Sequence, residues 1–115
     1  MFEYRVEVLR VVDGDTLECE IDCGFKIALT EHVRLFGIDT PEVYGPHAVP
    51  EGKLASAFTR AWVSDRQEKQ LWIRSDRYDE REKYGRILAT LFCEGEEISL
   101  NTALMEAGHA KPMFY

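Results

Sequence analysis

Three short segments of this 115-residue chain carry the side chains best suited to chemistry. Residues 13–16 read Asp-Gly-Asp-Thr, residues 34–42 read Arg-Leu-Phe-Gly-Ile-Asp-Thr-Pro-Glu, and residues 83–86 read Lys-Tyr-Gly-Arg. Carboxylate oxygens are the ligands that hard divalent cations prefer, and guanidinium groups pair with phosphate oxygens through two parallel hydrogen bonds. Together the segments contain both parts that a site for cutting a phosphodiester bond requires.

Two carboxylates are candidates for holding a cation. Asp15 shares the parity of the apolar residues in a strictly alternating run, so it should face the interior, where it needs a partner or a cation. Asp39 ends the third predicted strand, beside Asp15 if the two strands pair. The carbonyl of Thr40 could complete an oxygen-only set, which suits Ca²⁺ or Mg²⁺ rather than zinc. Taken separately, residues 13–16 are more often a plain turn, and residues 39–42 a loop or a helix start.

The remaining chemical candidates are one further acid and two arginines. Glu42 cannot easily share the inward position of Asp39, so it is better placed to orient a water molecule and accept its proton, unless it is an exposed loop acid. Arg34 lies within a predicted strand, where a charged side chain that faces the interior needs a reason. Arg86 opens a later strand and, like Arg34, stays charged and can grip a phosphate.

Composition limits what these side chains can do. The net charge of −7 and the pI near 4.9 argue against a general polyanion binder, so any phosphate binding must be local. Cys19, Cys23 and Cys93 lack the spacing of a zinc site, and we expect them to be reduced and structural. No apolar run is long enough to span a membrane, and a strand pattern begins at once, so we expect a cytoplasmic protein, or a secreted one if a leader was removed.

The elements that must position these residues follow from periodicity and turn signals. Period-2 patterns and apolar runs predict strands at 3–12, 15–22, 25–38, 70–75 and 87–93, with a hairpin turn at Asp13 and Gly14 and a long loop at 41–52. Helical spacing predicts helices at 53–66 and 99–107. The apolar stripe of the first helix is predicted to contain Leu54, Phe58, Ala61 and Trp62.

The order βββαββα with mostly antiparallel strands indicates an α+β, mainly β fold. We predict a five-stranded OB-fold barrel with helices packed on it, formed as one domain by residues 1–115. That fold supports nucleic-acid binding but does not prove it.

In order and over essentially the whole chain, these motifs resemble those of the staphylococcal (micrococcal) nuclease family of thermonuclease-like proteins. The resemblance rests on residues 11–16, 34–42, 55–59 (Ala-Ser-Ala-Phe-Thr), 83–86 and 110–111 (Ala-Lys). It implies an OB-fold and Ca²⁺-dependent hydrolysis of DNA or RNA with broad specificity. It also implies that the bond to the 5′ oxygen is cut, leaving 3′-phosphate ends.

The resemblance also assigns roles to individual residues. Asp15, Asp39 and the Thr40 carbonyl resemble the calcium ligands, and Glu42 resembles the residue that positions or deprotonates the attacking water. Arg34 and Arg86 resemble the phosphate-binding arginines, with Arg86 a candidate for stabilising the leaving group. The implied substrate contacts are Lys83, Tyr84, Phe114 and Tyr115, the last two as possible base-stacking rings.

The chain departs from the family in the loop that follows Glu42. This loop lacks the lysine-rich character of the family prototype and carries Tyr44, Pro46 and His47 instead. Together with the acidic balance, this departure predicts weaker substrate binding that falls steeply with salt. Of these loop residues, His47 lies close enough to the proposed site to keep a possible functional role.

Three functional hypotheses follow from the sequence. The first is a monomeric, metal-dependent phosphodiesterase that acts on nucleic acid and not at a membrane. The second is a non-catalytic OB-fold module that binds single-stranded nucleic acid or a protein partner. The third is a structural or interaction domain with an incidental acidic pocket, for which the negative charge is the best support. The first is favoured because none of the expected carboxylates and arginines is missing.

Overall fold

The computed structural model describes residues 2–75 and 85–114. Seven strands and two helices lie in these ranges. In chain order they are β1 (Phe2–Asp13), β2 (Thr16–Asp22), β3 (Ala28–Leu35), β4 (Ile38–Asp39), α1 (Pro50–Ser64), β5 (Leu71–Ser75), β6 (Ile87–Cys93), α2 (Leu100–Glu106) and β7 (Lys111–Pro112).

Five of the strands close into a barrel in the order β1-β2-β3-β6-β5, with β5 pairing back onto β1. All neighbours are antiparallel except β3 and β6, which pair in parallel over Val33–Leu35 and Ile87–Ala89. The predicted five-stranded, mainly β barrel is therefore confirmed. Closure leaves the backbone groups of these strands paired around the ring, which is how a small sheet avoids exposed edges.

The barrel core is built from the inward residues of each strand and from residues of both helices. On β2, the predicted alternation buries Leu17, Cys19 and Ile21, while the intervening acids face outward. Leu100 and Leu104 of α2 are fully buried with them. The two helices, which are the only ones in the described ranges, are too short to cross a bilayer.

The third predicted strand, 25–38, is divided in the structure. It breaks after Leu35 at Phe36 and Gly37, where Gly37 has a φ of 80°. The short β4 that follows pairs with β7 outside the barrel. The first hairpin turn also lies one residue later than predicted. Because Asp13 pairs with Thr16, the two turn residues are Gly14 and Asp15.

The apolar stripe predicted for α1 is confirmed for Trp62, which is buried, and for Phe58, which packs against the core, but it is wrong for the other two residues. Leu54 is 59% exposed and Ala61 is also exposed. The buried face consists instead of Gly52, Ala55, Ser56, Thr59 and Trp62. Apart from Trp62 these residues are small, because α1 approaches the backbone of the β1–β2 turn closely. The helix also begins earlier than predicted, because Pro50 occupies its first turn, where a missing N–H has no consequence.

A buried asparagine joins the elements around the point where β3 leaves the barrel. The Asn101 side-chain oxygen accepts from the Leu91 N–H at 3.1 Å, and its amide donates to the carbonyls of Phe36 at 2.9 Å and Ala89 at 3.3 Å. Asn101 thus satisfies backbone groups of β6 and of the Phe36 turn with one side chain. Since buried backbone groups must be paired, this contact fixes the path by which the chain reaches β4.

An ion pair ties the end of α1 to the turn after β6. Arg66 donates from Nε and Nη2 to the Glu96 carboxylate at 2.8–3.1 Å, from Nη1 to the Trp62 carbonyl, and stacks 4.1 Å from the Trp62 ring centroid. The hydrogen bonds from Arg66 are the main reason that the pKa of Glu96 is lowered to about 2.

We predict that Glu96→Gln lowers the free energy of unfolding at pH 7, and that the loss shrinks in acid. A carboxylate whose folded pKa is depressed stabilises the protein above its unfolded pKa, near 4.5, and this contribution disappears as the pH falls through about 2. Urea denaturation at pH 7 and pH 3 should therefore give a smaller difference between variant and wild type at pH 3. Glu68→Gln is the control, because Glu68 is exposed and forms no ion pair with a described residue. An equal difference at both pH values would contradict the assignment.

Candidate active site

A cavity of about 130 Å³ opens beside the β1–β2 turn and the end of β3. The eight residues that line it are Asp13, Asp15, Arg34, Asp39, Thr40, Pro41, Glu42 and Arg86. They include all six residues that the sequence offered as metal ligands or catalytic groups. Residues from four separate parts of the chain therefore converge on one small, polar space.

The guanidinium of Arg34 lies between the two candidate metal-binding carboxylates. Its Nη1 is 3.1 Å from Oδ2 of Asp15, and its Nη2 is 3.2 Å from Oδ1 of Asp39. Arg34 and Asp15 are both 6% exposed, whereas Asp39 is about half-buried. The charge that the sequence left unexplained in β3 is thus matched by two acids on other elements.

Asp15 is held in place by neighbours on three sides. Its Oδ2 accepts from the Thr40 N–H at 3.0 Å, and its Oδ1 accepts from the Thr16 hydroxyl at 3.1 Å. Behind it, the Thr59 hydroxyl of α1 donates to the Gly14 carbonyl at 2.7 Å. A Cβ on Gly14 would lie 2.9 Å from the Cβ of Ala55, so only glycine lets α1 support the turn this closely.

Arg86 reaches the same cavity from the start of β6. It is half-buried, and its Nη1 donates to the Thr16 hydroxyl at 3.3 Å. Because Thr16 in turn donates to Asp15, the two arginines are joined through a chain of polar contacts. Sequence parity places Thr16 on the face of β2 opposite to Leu17, and Thr16 is nevertheless buried there, beside Arg34, its partner in the β2–β3 pair.

The backbone at Glu42 is fixed by the first turn of α1. The Val49 N–H donates to the Glu42 carbonyl at 3.2 Å. A Cβ added to Gly52 would lie 2.6 Å from the Glu42 carbonyl carbon and closer still to its oxygen, which is nearer than a side chain can approach backbone. The Glu42 side chain itself is exposed and lines the cavity.

Asp13 is a further acid of the cavity that the sequence analysis did not select. Burial, and then the charge of Asp15, raises the pKa of Asp13, although a hydrogen bond from the backbone of Val43 opposes the shift. Asp13 Oδ1 and Thr40 Oγ1 are fully buried and have no hydrogen-bond partner among the described residues. The Asp-Gly-Asp spacing is the signal that could have selected Asp13, which precedes Asp15 by two residues. It was not selected because the sequence predicted Asp13 to be a residue of the hairpin turn.

The donor set of the cavity suits a hard cation. Among the described residues, four carboxylates face two guanidinium groups, which leaves two negative charges to be balanced, and two buried oxygens lack a partner there. Within residues 2–75 and 85–114, no three His, Cys, Asp or Glu side chains are close enough to hold a metal ion. A cation held by Asp15 and Asp39 would need main-chain or water oxygens to complete its coordination.

Of the four predicted substrate contacts, Phe114 is the one that the structure describes, and it lies outside the cavity. Phe114 is 91% exposed and does not line the cavity, although the sulfur of its neighbour Met113 is 3.5 Å from Nη2 of Arg34. Lys83, Tyr84 and Tyr115 lie outside the described residues.

Comparison with known proteins identifies one matching family and several similar proteins. The family described as "Staphylococcal nuclease homologue" matches residues 32–115. The thermonuclease of Staphylococcus intermedius is 37% identical over 110 residues, which cover 94% of this chain and 59% of that protein. The thermonuclease of Staphylococcus hyicus is 35% identical, over 98% of this chain and 62% of that protein. Endonuclease YncB of Bacillus subtilis (strain 168) is 34% identical, over 93% of this chain and 47% of that protein.

The chain thus spans about 60% of the length of the two thermonucleases it matches. The family match covers most of the cavity, namely Arg34, the 39–42 segment and Arg86, and the alignment with the thermonucleases extends over almost the whole chain. On these findings, the chain belongs to the staphylococcal nuclease homologue family.

Proposed function

We propose that this chain, as a single domain of residues 1–115, is a Ca²⁺-dependent nuclease that hydrolyses phosphodiester bonds of DNA or RNA with broad specificity. The observation that carries the proposal is the 130 Å³ cavity in which Asp15, Asp39, Glu42, Arg34 and Arg86 meet. Acids that can hold a cation and arginines that can hold a phosphate share that space. The named activities of the relatives, thermonuclease and endonuclease, agree with this chemistry.

In this proposal the cation is held by Asp15, Asp39 and the Thr40 carbonyl. When bound, it would supply positive charge that balances the carboxylates and stabilises the charge developing on the phosphate. In the structure Arg34 forms ion pairs with both Asp15 and Asp39. With their charge balanced in another way, its guanidinium becomes available to a phosphate oxygen, for which its planar donors are well matched.

Glu42 and Arg86 have the complementary tasks. Glu42 orients a water molecule and accepts its proton as the water oxygen bonds to phosphorus. The bond from phosphorus to the 5′ oxygen breaks and the departing oxygen takes a proton from solvent water, so that a 3′-phosphate and a 5′-hydroxyl are formed. Arg86, at the start of β6, pairs with the phosphate and stabilises charge on the departing oxygen. The close contact of Gly52 with the Glu42 backbone supports this role by limiting where the acid can move.

The function is tested by incubating the protein with denatured DNA and with RNA, in Ca²⁺ and in EDTA. We expect digestion with Ca²⁺ and none with the chelator, and the products should carry 3′-phosphate ends, which end-specific labelling detects. Retention of the nucleic acid without digestion would support the non-catalytic binding module instead. Neither digestion nor retention would support a purely structural domain.

We predict that Arg86→Ala lowers kcat by about 10²–10³-fold, the loss typical of one preorganised electrostatic contact. Arg34→Ala should show a loss of similar size, but this side chain is buried between two acids, so the variant must first be shown to fold by circular dichroism. Arg10→Ala is the control, since Arg10 is exposed on the barrel and pairs only loosely with Glu18 at 3.6 Å. Unchanged hydrolysis by a folded Arg86→Ala variant would contradict its role.

We also predict that Ca²⁺ raises the melting temperature of the wild type, because a ligand that binds only the folded state stabilises it. At a concentration of about 100 times Kd the gain is about 2.7 kcal/mol. Asp15→Asn and Asp39→Asn should lose most of this shift, whereas Asp65→Asn, at the exposed end of α1, should retain it. Differential scanning calorimetry measures the shift without any need for activity. The ligand assignment is wrong if both cavity variants respond to Ca²⁺ like the wild type.

A further inference from the structure

A second, larger depression adjoins the catalytic cavity on the other side of residues 39–42. Its volume is about 510 Å³, which is within the range of about 300–1,000 Å³ typical of ligand sites. The two depressions share the 39–42 segment as a common wall. The far wall is formed by the chain after α2, including His109 and Lys111, and His47 lies at its edge.

The backbone at His109 is fixed by the end of α2. The Gly108 N–H donates to the Met105 carbonyl at 3.0 Å, the His109 N–H donates to the Leu104 carbonyl at 2.9 Å, and Gly108 has a φ of 80°. These bonds form a Schellman motif, in which the residue at the His109 position usually makes an apolar contact with the helix. Here that position carries an imidazole, which is half-buried and lines the depression.

The imidazole has a rigid support behind it. The ring of His109 lies 5.1 Å from the Phe58 ring of α1, measured between centroids, with an angle of 48° between the planes. An aromatic ring that packs against a second ring and also lines a depression can stack on a nucleobase that enters the depression. Stacking needs no net positive charge, so it suits a protein whose net charge is −7.

Lys111 supplies a cation two residues further on. It lies opposite Asp39 in the β4–β7 pair, is exposed, and forms no ion pair with a described residue. An ammonium group beside an aromatic ring matches the alternation of phosphate and base along a single strand.

We propose that the depression lined by His109, Lys111 and His47 is a second nucleotide subsite, which holds the nucleotide next to the scissile linkage of a single strand. This inference rests on the proposed nuclease function, because it assumes that the neighbouring cavity holds that linkage. His109 stacks on the base and Lys111 pairs with the adjoining phosphate, while His47 closes the edge. The subsite distinguishes a nucleotide that carries a base from an abasic one, but it does not discriminate among the four bases.

The test combines variants with abasic scanning of the ligand. A fluorescent single-stranded octanucleotide with phosphorothioate linkages, which slow hydrolysis, is titrated with protein in Ca²⁺ and followed by anisotropy. Eight further ligands each lack one base. For the wild type we expect the affinity to fall about tenfold at the position that occupies the subsite, since stacking of one base on an aromatic ring is worth about 1–3 kcal/mol. In His109→Leu, which keeps the apolar contact that the Schellman motif favours, that loss should disappear at the same position.

Lys111→Gln provides an independent measurement. It should weaken binding of the intact octanucleotide and reduce the slope of log K against log salt by about 0.7, the value for one phosphate contact on a single strand. His109→Leu should leave the slope unchanged, because stacking releases no counterions. The matched controls are His32→Leu and Lys69→Gln, which lie on β3 and beyond α1 and should behave like the wild type in both measurements.

The outcomes separate this proposal from the proposed function. If the wild type binds the strand but digests nothing in Ca²⁺, the nuclease proposal fails, and the subsite stands if the His109 and Lys111 effects are seen. If the wild type digests DNA but His109→Leu keeps the full abasic penalty at every position, the subsite is wrong and the nuclease stands. An equal loss in His32→Leu and Lys69→Gln would also overturn the subsite, because it would reveal a general effect.

Discussion

The contact between the Arg34 guanidinium and the carboxylates of Asp15 and Asp39 organises one end of this barrel. The three residues come from β3, from the β1–β2 turn and from β4, so a single side chain joins three elements. Taking such charges out of water is costly, and removing one partner of a buried ion pair typically costs about 3–5 kcal/mol. The acids therefore depend on the arginine for their position, and the arginine depends on them for its charge balance. A ligand of either sign that enters the cavity acts on all three residues together.

The first helix provides the rigid support for this arrangement. Its buried face is made of Gly52, Ala55, Ser56 and Thr59, with one large residue, Trp62, at the far end. The absence of bulk brings the helix backbone close to the Gly14 turn and to Glu42, while the Thr59 hydroxyl satisfies the Gly14 carbonyl. Packing at this density cannot adjust by small amounts, so a change in the helix would be transmitted to the acids it supports.

The sequence predicted the barrel well because its strands are marked by strong local signals. The alternation around Leu17 and Cys19 depends on which face is buried. Asp15 shares their parity and is buried as that parity predicts, although it lies in the turn and not in β2. The same reasoning failed for α1, because hydropathy assigns Leu54 to the core and Thr59 to the surface. Which residues of α1 are buried is decided instead by how closely the helix backbone approaches the backbone of the β1–β2 turn. That distance is a property of the assembled fold and cannot be read from one segment.

The candidate site also combines features that the sequence predicts with features that depend on the assembled fold. Residue type and spacing selected six of the residues that line the cavity, but not the contacts between them. No local pattern indicates that Arg34 would bridge two acids, that Thr16 would be buried beside Arg34 and Arg86, or that an oxygen of Asp13 would be buried with no partner among the described residues. These features depend on residues up to 70 positions apart, such as Thr16 and Arg86, which only the closed barrel brings together.

Because Gly52 contacts Glu42, the positions of the two ends of the intervening chain do not depend on the length of that chain. Glu42 is anchored at its own carbonyl by Val49 and by the start of α1, so residues 43–48 form a closed excursion whose two ends are already tied together. Lengthening such an excursion costs little, since the closure entropy rises only with the logarithm of its length. A foreign peptide inserted between Tyr44 and Gly45 would therefore be carried near the cavity while Glu42 keeps its position, and the insertion would avoid Val43, which bonds Asp13, and His47, which lines the second depression.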